Sequence, residues 1–285
     1  MKRTLIFLAC SLLLISCESK TPQPETKIAA DFSCTISQPT RAHDSTWDPG
    51  DAIGIFMLDG QTALSTNSHY VTTAGDGAFL PSGADQTIYF PDQEDTKVDF
   101  IAYYPYKDTQ TGYLYPIDIT DQSDQDALIL LTADKITGRD HTAPAISFTF
   151  RHRMTRLEFT IINGEGLTAE ELEGIEITIT ELATKGNYDI NKEAFTATDE
   201  KSTLPMLIDE SGTLALATII PAEKDADRKI GFSLMSGHQM YLELPDTTFG
   251  SGEKHLYTIT LHRTATLISA TITNWTIIKD EIEVI

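Results

Sequence analysis

From Ile28 onward the chain is dominated by short runs in which apolar and polar residues alternate, the signature of strands with one face in a core and the other toward water. Ile175-Glu176-Ile177-Thr178-Ile179 puts isoleucine on one face, and Tyr257-Thr258-Ile259-Thr260-Leu261 repeats the scheme with a threonine face. Further strands are predicted from Ile53 to Met57, Val98 to Tyr104, Leu157 to Ile161, Leu214 to Ile220 and Ile230 to Leu234. Turn chemistry separates them: Asp48-Pro49-Gly50-Asp51 suits a type II turn, and Lys185-Gly186-Asn187 and Ser251-Gly252 supply residues that tolerate positive φ. Strands recurring every roughly 8 to 15 residues imply β-sandwiches. One short helix is expected at Thr168-Ala169-Glu170-Glu171-Leu172, where Thr168 and Glu171 have capping-box spacing. Thr120 to Asp126 and Thr196 to Ser202 read as loops, and Arg139 to Pro144 as a boundary between halves of similar size. No internal repeat is visible at the residue level.

The length of 285 residues suggests two globular units. Hydrophobic residues at 41% and charged residues at 22% are enough for packed cores. A net charge of −21 repels phosphate backbones and argues against nucleic acid as a partner. Residues 1–16 read as an export signal, with Lys2 and Arg3 ahead of an apolar run from Leu5 to Ile15 that is too short for a permanent membrane span. Leu14-Ile15-Ser16-Cys17 resembles a bacterial lipobox, which implies lipidation at Cys17 and anchoring in the outer membrane; the alternative is an ordinary signal with a chance cysteine. Cys10 leaves with the signal, so Cys34 is the one thiol of the body, which excludes an internal disulfide and a thiolate metal site. Residues 17–27, with two prolines and no hydrophobic period, read as a tether.

Signatures of catalysis are missing. There is no G-x-S-x-G, no His-Glu-x-x-His and no phosphate-binding loop, so neither enzyme chemistry nor a cofactor is expected. The seven histidines (43, 69, 141, 152, 238, 255 and 262) are scattered without metal-ligand spacing, and His152 between two arginines reads as a structural or solvent-facing residue. Asp118, Asp121, Asp124 and Asp126 could gather around calcium, but the turn glycine and closing glutamate of an EF-hand are missing, so they read as a solvated acidic loop. Tyr103, Tyr104, Tyr106, Tyr113 and Tyr115 form the densest aromatic stretch. They make either a carbohydrate platform or a buried strand ended by Pro105.

Several segments in order resemble the fimbrillin family, the lipoprotein pilins and accessory subunits of Bacteroidetes. Thr40-Arg41-Ala42 followed by Trp47-Asp48-Pro49-Gly50-Asp51-Ala52-Ile53-Gly54-Ile55-Phe56 looks like its opening. Asp99 through Tyr106 resembles its tyrosine strand, and Phe148-Thr149-Phe150-Arg151-His152-Arg153-Met154 the start of its second half. Gly252 through Leu261 and then Ile272-Thr273-Asn274-Trp275 resemble its closing strands. The resemblance implies an all-β fold of two tandem transthyretin-like β-sandwich domains with few short helices, at 28–145 and 146–285. It also implies a fimbrial subunit at the cell surface, assembled by donor-strand exchange with like or unlike subunits and supporting adhesion to a host or bacterial receptor. Arg41 matches the family's processing position. The segment so released holds Phe32, Cys34 and Ile36 on one face, a plug strand; a permanent first strand with Arg41 in a surface loop is the alternative. At the other end Ile278, Ile282 and Val284 share parity as a candidate donor strand, although Asp280 lies on the same face and pairing within its own domain is the other reading. The competing function is a monomeric surface lipoprotein that binds a glycan through the tyrosines.

Overall fold

Alternating sequences become strands throughout, because each can bury one face and satisfy its backbone in a ladder. The computed structural model describes residues 27–37, 46–93, 95–244, 248–263 and 268–278. The first half contains β1 (Asp31–Ile36), β2 (Ala52–Asp59), β3 (Thr62–Val71), β4 (Ala78–Pro81), β5 (Val98–Tyr104), β6 (Leu114–Asp118), β7 (Leu131–Ala133), β8 (Ile136–Arg139) and β9 (Ala145–His152). The second contains β10 (Thr155–Asn163), β11 (Glu176–Ala183), β12 (Lys185–Asp189), β13 (Ala194–Ala197), β14 (Lys201–Pro205), β15 (Leu207–Ile208), β16 (Leu214–Ile219), β17 (Lys229–Ser233), β18 (Gln239–Glu243), β19 (Lys254–Arg263) and β20 (Ile268–Ile278). The all-β class expected from the pattern is the one found. The proposed signal, most of the tether, Cys17, Arg41, Ile282 and Val284 lie outside the described residues.

The first sheet runs β2-β3-β4-β1-β9-β7-β5-β8, and β2 also pairs with β5, so the sheet closes on itself. The expected boundary at 145/146 falls at the start of β9, and β9 itself pairs with β1 and β7 of this sheet. A second sheet, β15-β16-β10-β19-β20, a third, β14-β11-β17-β18, and a fourth, β13-β12-β6, complete the fold. The fourth joins the halves, since β6 pairs with β12 from Asp118 opposite Lys185 to Leu114 opposite Asp189.

Two clusters of buried side chains fill the molecule, and β2 and β5 form a wall between them. Ile53, Ile55 and Met57 face the first cluster with Val98, Phe100 and Ala102. Phe56, Leu58, Ile101 and Tyr103 face the second. This explains the unbroken apolar run of β2, which has no solvent face to mark with polar residues.

Two local expectations are overturned and a third is narrowed. Thr168–Leu172 is a pair of tight turns, not a helix. Thr168 N–H donates to the Glu171 carboxylate at 2.9 Å, but a nucleus this short gains too few bonds, and Gly174 at φ +71° turns the chain into β11. The turn expected at Lys185-Gly186-Asn187 lies inside β12; Gly186 is needed there because a Cβ would fall 2.7 Å from the Thr196 carbonyl oxygen across the ladder. The loop expected at Thr196 to Ser202 is confined to residues 198–200, because β13 runs to Ala197 and β14 begins at Lys201.

Candidate assembly site

β1 lies inside the closed sheet, and its six residues carry out two tasks. Along one edge it runs parallel to β9 in continuous register, from Asp31 opposite Ala145 to Ile36 opposite Phe150. Along the other it meets β4 antiparallel through Phe32 opposite Phe79 and Ser33 opposite Ala78. Strand parity sends Asp31, Ser33 and Thr35 to solvent and Phe32 and Cys34 into the core, at 2% and 3% exposure. Phe32 stacks on Phe148 at a ring separation of 5.7 Å and meets the edges of Tyr70 at 5.0 Å and Phe100 at 5.6 Å. Burial pushes the Cys34 thiol well above its ordinary pKa, which keeps it protonated and inert. Ile36 is half-buried at the exit of the strand. The three residues singled out as a plug thus share one face of an interior strand.

Beyond Ile36 a cavity of about 290 Å³ opens, lined among others by Trp47, Asp51, Tyr104, Asp126 and His152. The Asp48-Pro49-Gly50-Asp51 turn forms one rim as expected, with Gly50 at φ +99° and Asp51 N–H donating to the Asp48 carbonyl at 3.0 Å. The Tyr104 hydroxyl donates to Asp51 at 3.0 Å, and burial together with the Asp51 charge raises its pKa. Trp47, 7% exposed, packs edge-on against Phe79, Tyr104 and Phe150. Its indole N–H reaches the main chain of β1, donating to the Cys34 carbonyl at 3.0 Å. The sequence pointed to Trp47 only as part of a familiar opening, because no periodicity announces a side chain that bonds to a distant backbone.

The five tyrosines do not share one exposed face. Tyr103 is fully enclosed, its hydroxyl donating to Asn67 at 2.7 Å. Tyr115 is buried under Lys107, and Tyr106 lies flat on His69 at 3.9 Å. Burial of Tyr103 and Tyr115 takes those two rings out of any sugar-binding surface, while Tyr104, Tyr106 and Tyr113 are half-buried. The aspartates of the 118–126 stretch are occupied locally: Asp118 accepts from Thr120 and pairs with Lys185 at 3.0 Å, and Asp124 accepts from Asp126 and Ala127. Among the described residues no three metal-ligating side chains come together. At the C-terminal end Ile278 closes β20, in register with Lys254 of β19.

The described residues thus form an all-β fold in which β1 occupies an interior position of a closed sheet. Residues 40–275 match the model of the fimbrillin-like family. A protein of Bacteroides uniformis assigned as fimbrium subunit Fim1C is 32% identical, over 94% of this chain and 93% of the relative. A crystal structure of a protein of the same species assigned to cell adhesion is similar at a TM-score of 0.71 and 30% identity, covering 89% of this chain and all of that one. Another from Bacteroides ovatus, at a TM-score of 0.69 and 17% identity over 90% of this chain and 99% of that one, shares the fold. The chain belongs to the fimbrillin-like family, whose members are structural and non-enzymatic proteins.

Proposed function

We propose that the chain is a subunit of a cell-surface fimbria, exported as a lipoprotein on Cys17 and assembled by exchange of strands between subunits. One observation carries this reading: β1, the first strand of the fold, occupies an interior position of a closed sheet and is followed, before Trp47, by the stretch holding Arg41. Cutting after Arg41 would release β1 and open a slot bordered by β4 and β9, whose unpaired edges favour capture of another strand. The donor is the C-terminal segment of another subunit of the same or a different kind, with Ile278, Ile282 and Val284 toward the slot. That segment begins at Ile278, the last residue of β20, and β20 lies at a sheet edge with β19 as its one partner among the described strands. Each large apolar side chain seated would contribute about 1.5–3 kcal/mol, so a few suffice for a durable contact without an energy source. The outer membrane holds the lipid, and an adhesion receptor is the expected target of the assembled fibre.

The test uses residues 18–285 treated with an Arg-specific protease and followed by mass spectrometry, native gels and electron microscopy. Loss of the residues up to Arg41 followed by ladders or filaments is the expected result. A body that is cut there and stays monomeric, alone and with candidate partner subunits, would refute strand exchange.

A further inference from the structure

The ladder between β1 and β4 is short, and beyond Ala78 the chain turns through Gly77 at φ +84°. The main chain of Cys34 lies past that end, yet both of its polar groups are satisfied. Its N–H donates to the Gly77 carbonyl at 2.7 Å, and its carbonyl accepts the Trp47 indole N–H at 3.0 Å. The indole stands where a longer β4 would have placed a backbone N–H, so it extends the ladder by one rung. A Cβ on Gly77 would fall 2.4 Å from the Cys34 carbonyl oxygen and 3.8 Å from the Trp47 ring, so the close approach needs glycine. Rings from three strands, Phe79, Tyr104 and Phe150, hold the indole in place.

We infer that Trp47 and Gly77 form a backbone-reading latch at the foot of the slot, which fixes the register of whatever strand lies there. In the uncut chain that strand is β1; on the function proposed above, it is also the incoming strand of the next subunit. Both residues follow Arg41 in the sequence and stay with the body when the preceding segment leaves. The groups they read are an N–H and a carbonyl, present on every residue except for the missing N–H of proline. The latch therefore sets position without demanding a particular side chain, and bars proline at the place of Cys34. Trp47 acts as a positioning residue.

Residues 18–285 contain every described residue and a single cysteine, Cys34, so the rate at which a thiol reagent labels it reports the opening of β1. Trp47→Phe keeps a ring and removes the N–H. Labelling about tenfold faster is expected, the factor equivalent to about 1.4 kcal/mol, with little dependence on urea because the opening is local. Gly77→Ala should act in the same direction. Labelling at the wild-type rate, or faster only in step with global unfolding, would overturn the latch. In the unmutated chain the Trp47 indole N–H should exchange with solvent together with the Cys34 amide, and independent exchange also counts against it. A synthetic peptide of residues 28–37 should bind the body cut after Arg41, about tenfold more weakly with Trp47→Phe, and not at all with proline at position 34. Equal binding by both bodies would end the latch's role in exchange. A body that binds no strand would refute the assembly reading, while the labelling of Cys34 still decides the latch on β1.

Discussion

Phe32 concentrates the energetics of β1 in one ring, stacked on β9 and meeting Tyr70 and Phe100 edge-on. Phe32→Ala should cost about 3–5 kcal/mol, the range for emptying a phenylalanine site in a close-packed core. Urea denaturation of the uncut chain measures it, and a loss below about 1 kcal/mol would mean that the site collapses around the gap. Cys34, two residues on, is small among aromatic neighbours, so its contribution lies in shape and in the protection of its backbone. The inward set of Phe32, Cys34 and Ile36 was legible from parity alone. Trp47 was not, because a hydrogen bond from an indole to a strand 13 residues earlier leaves no periodic trace.

Between elements, a small polar bridge ties the halves together. The Gln122 side chain donates to the carbonyls of Ile119 at 2.8 Å and Thr218 at 3.0 Å and accepts the Thr218 N–H at 2.9 Å. It so mimics a strand beside β16. Gln125 completes the arrangement by accepting from the Thr218 hydroxyl at 2.9 Å. Gln122→Ala should cost about 1–3 kcal/mol, since it orphans buried backbone groups of Thr218, and chemical denaturation checks it; an unchanged midpoint would show that water replaces the amide. The strand runs of β10 and β19 were readable because each alternates against a core, and that of β5 because it is apolar on both faces. Gln122 was hidden in what looked like an acidic loop, since nothing local distinguishes a buried glutamine from a solvated one. Thr168 misled for the opposite reason: its capping signal is real, but the helix it would cap is too short to form.

Across the whole molecule the two halves share a plan that their residues do not display. β1 has an antiparallel neighbour, β4, and a parallel one, β9; β10 likewise lies between antiparallel β16 and parallel β19. Pairing constrains only alternation, so the two sequences were free to diverge under the same topology. Tyrosine burial runs through both clusters. Burial pushes the hydroxyls of Tyr103 and Tyr257 up to about 12 from an ordinary value near 10. The unfolded chain therefore releases these protons first, and the stability held below pH about 10 should be lost as pH rises toward 12. Ring NMR signals of Tyr103 and Tyr257 should show ionisation only as the circular dichroism of the fold is lost in that window; ionisation of these two rings with the fold intact would contradict their enclosure. The parallel pairing of β1 with β9 has a mechanical consequence. A pull on the chain ahead of Asp31, opposed by a pull on the chain beyond His152, draws the two strands past each other along their common axis. The load then falls on the whole ladder at once, so the junction resists tension as a lap joint does and yields more readily to peeling from one end.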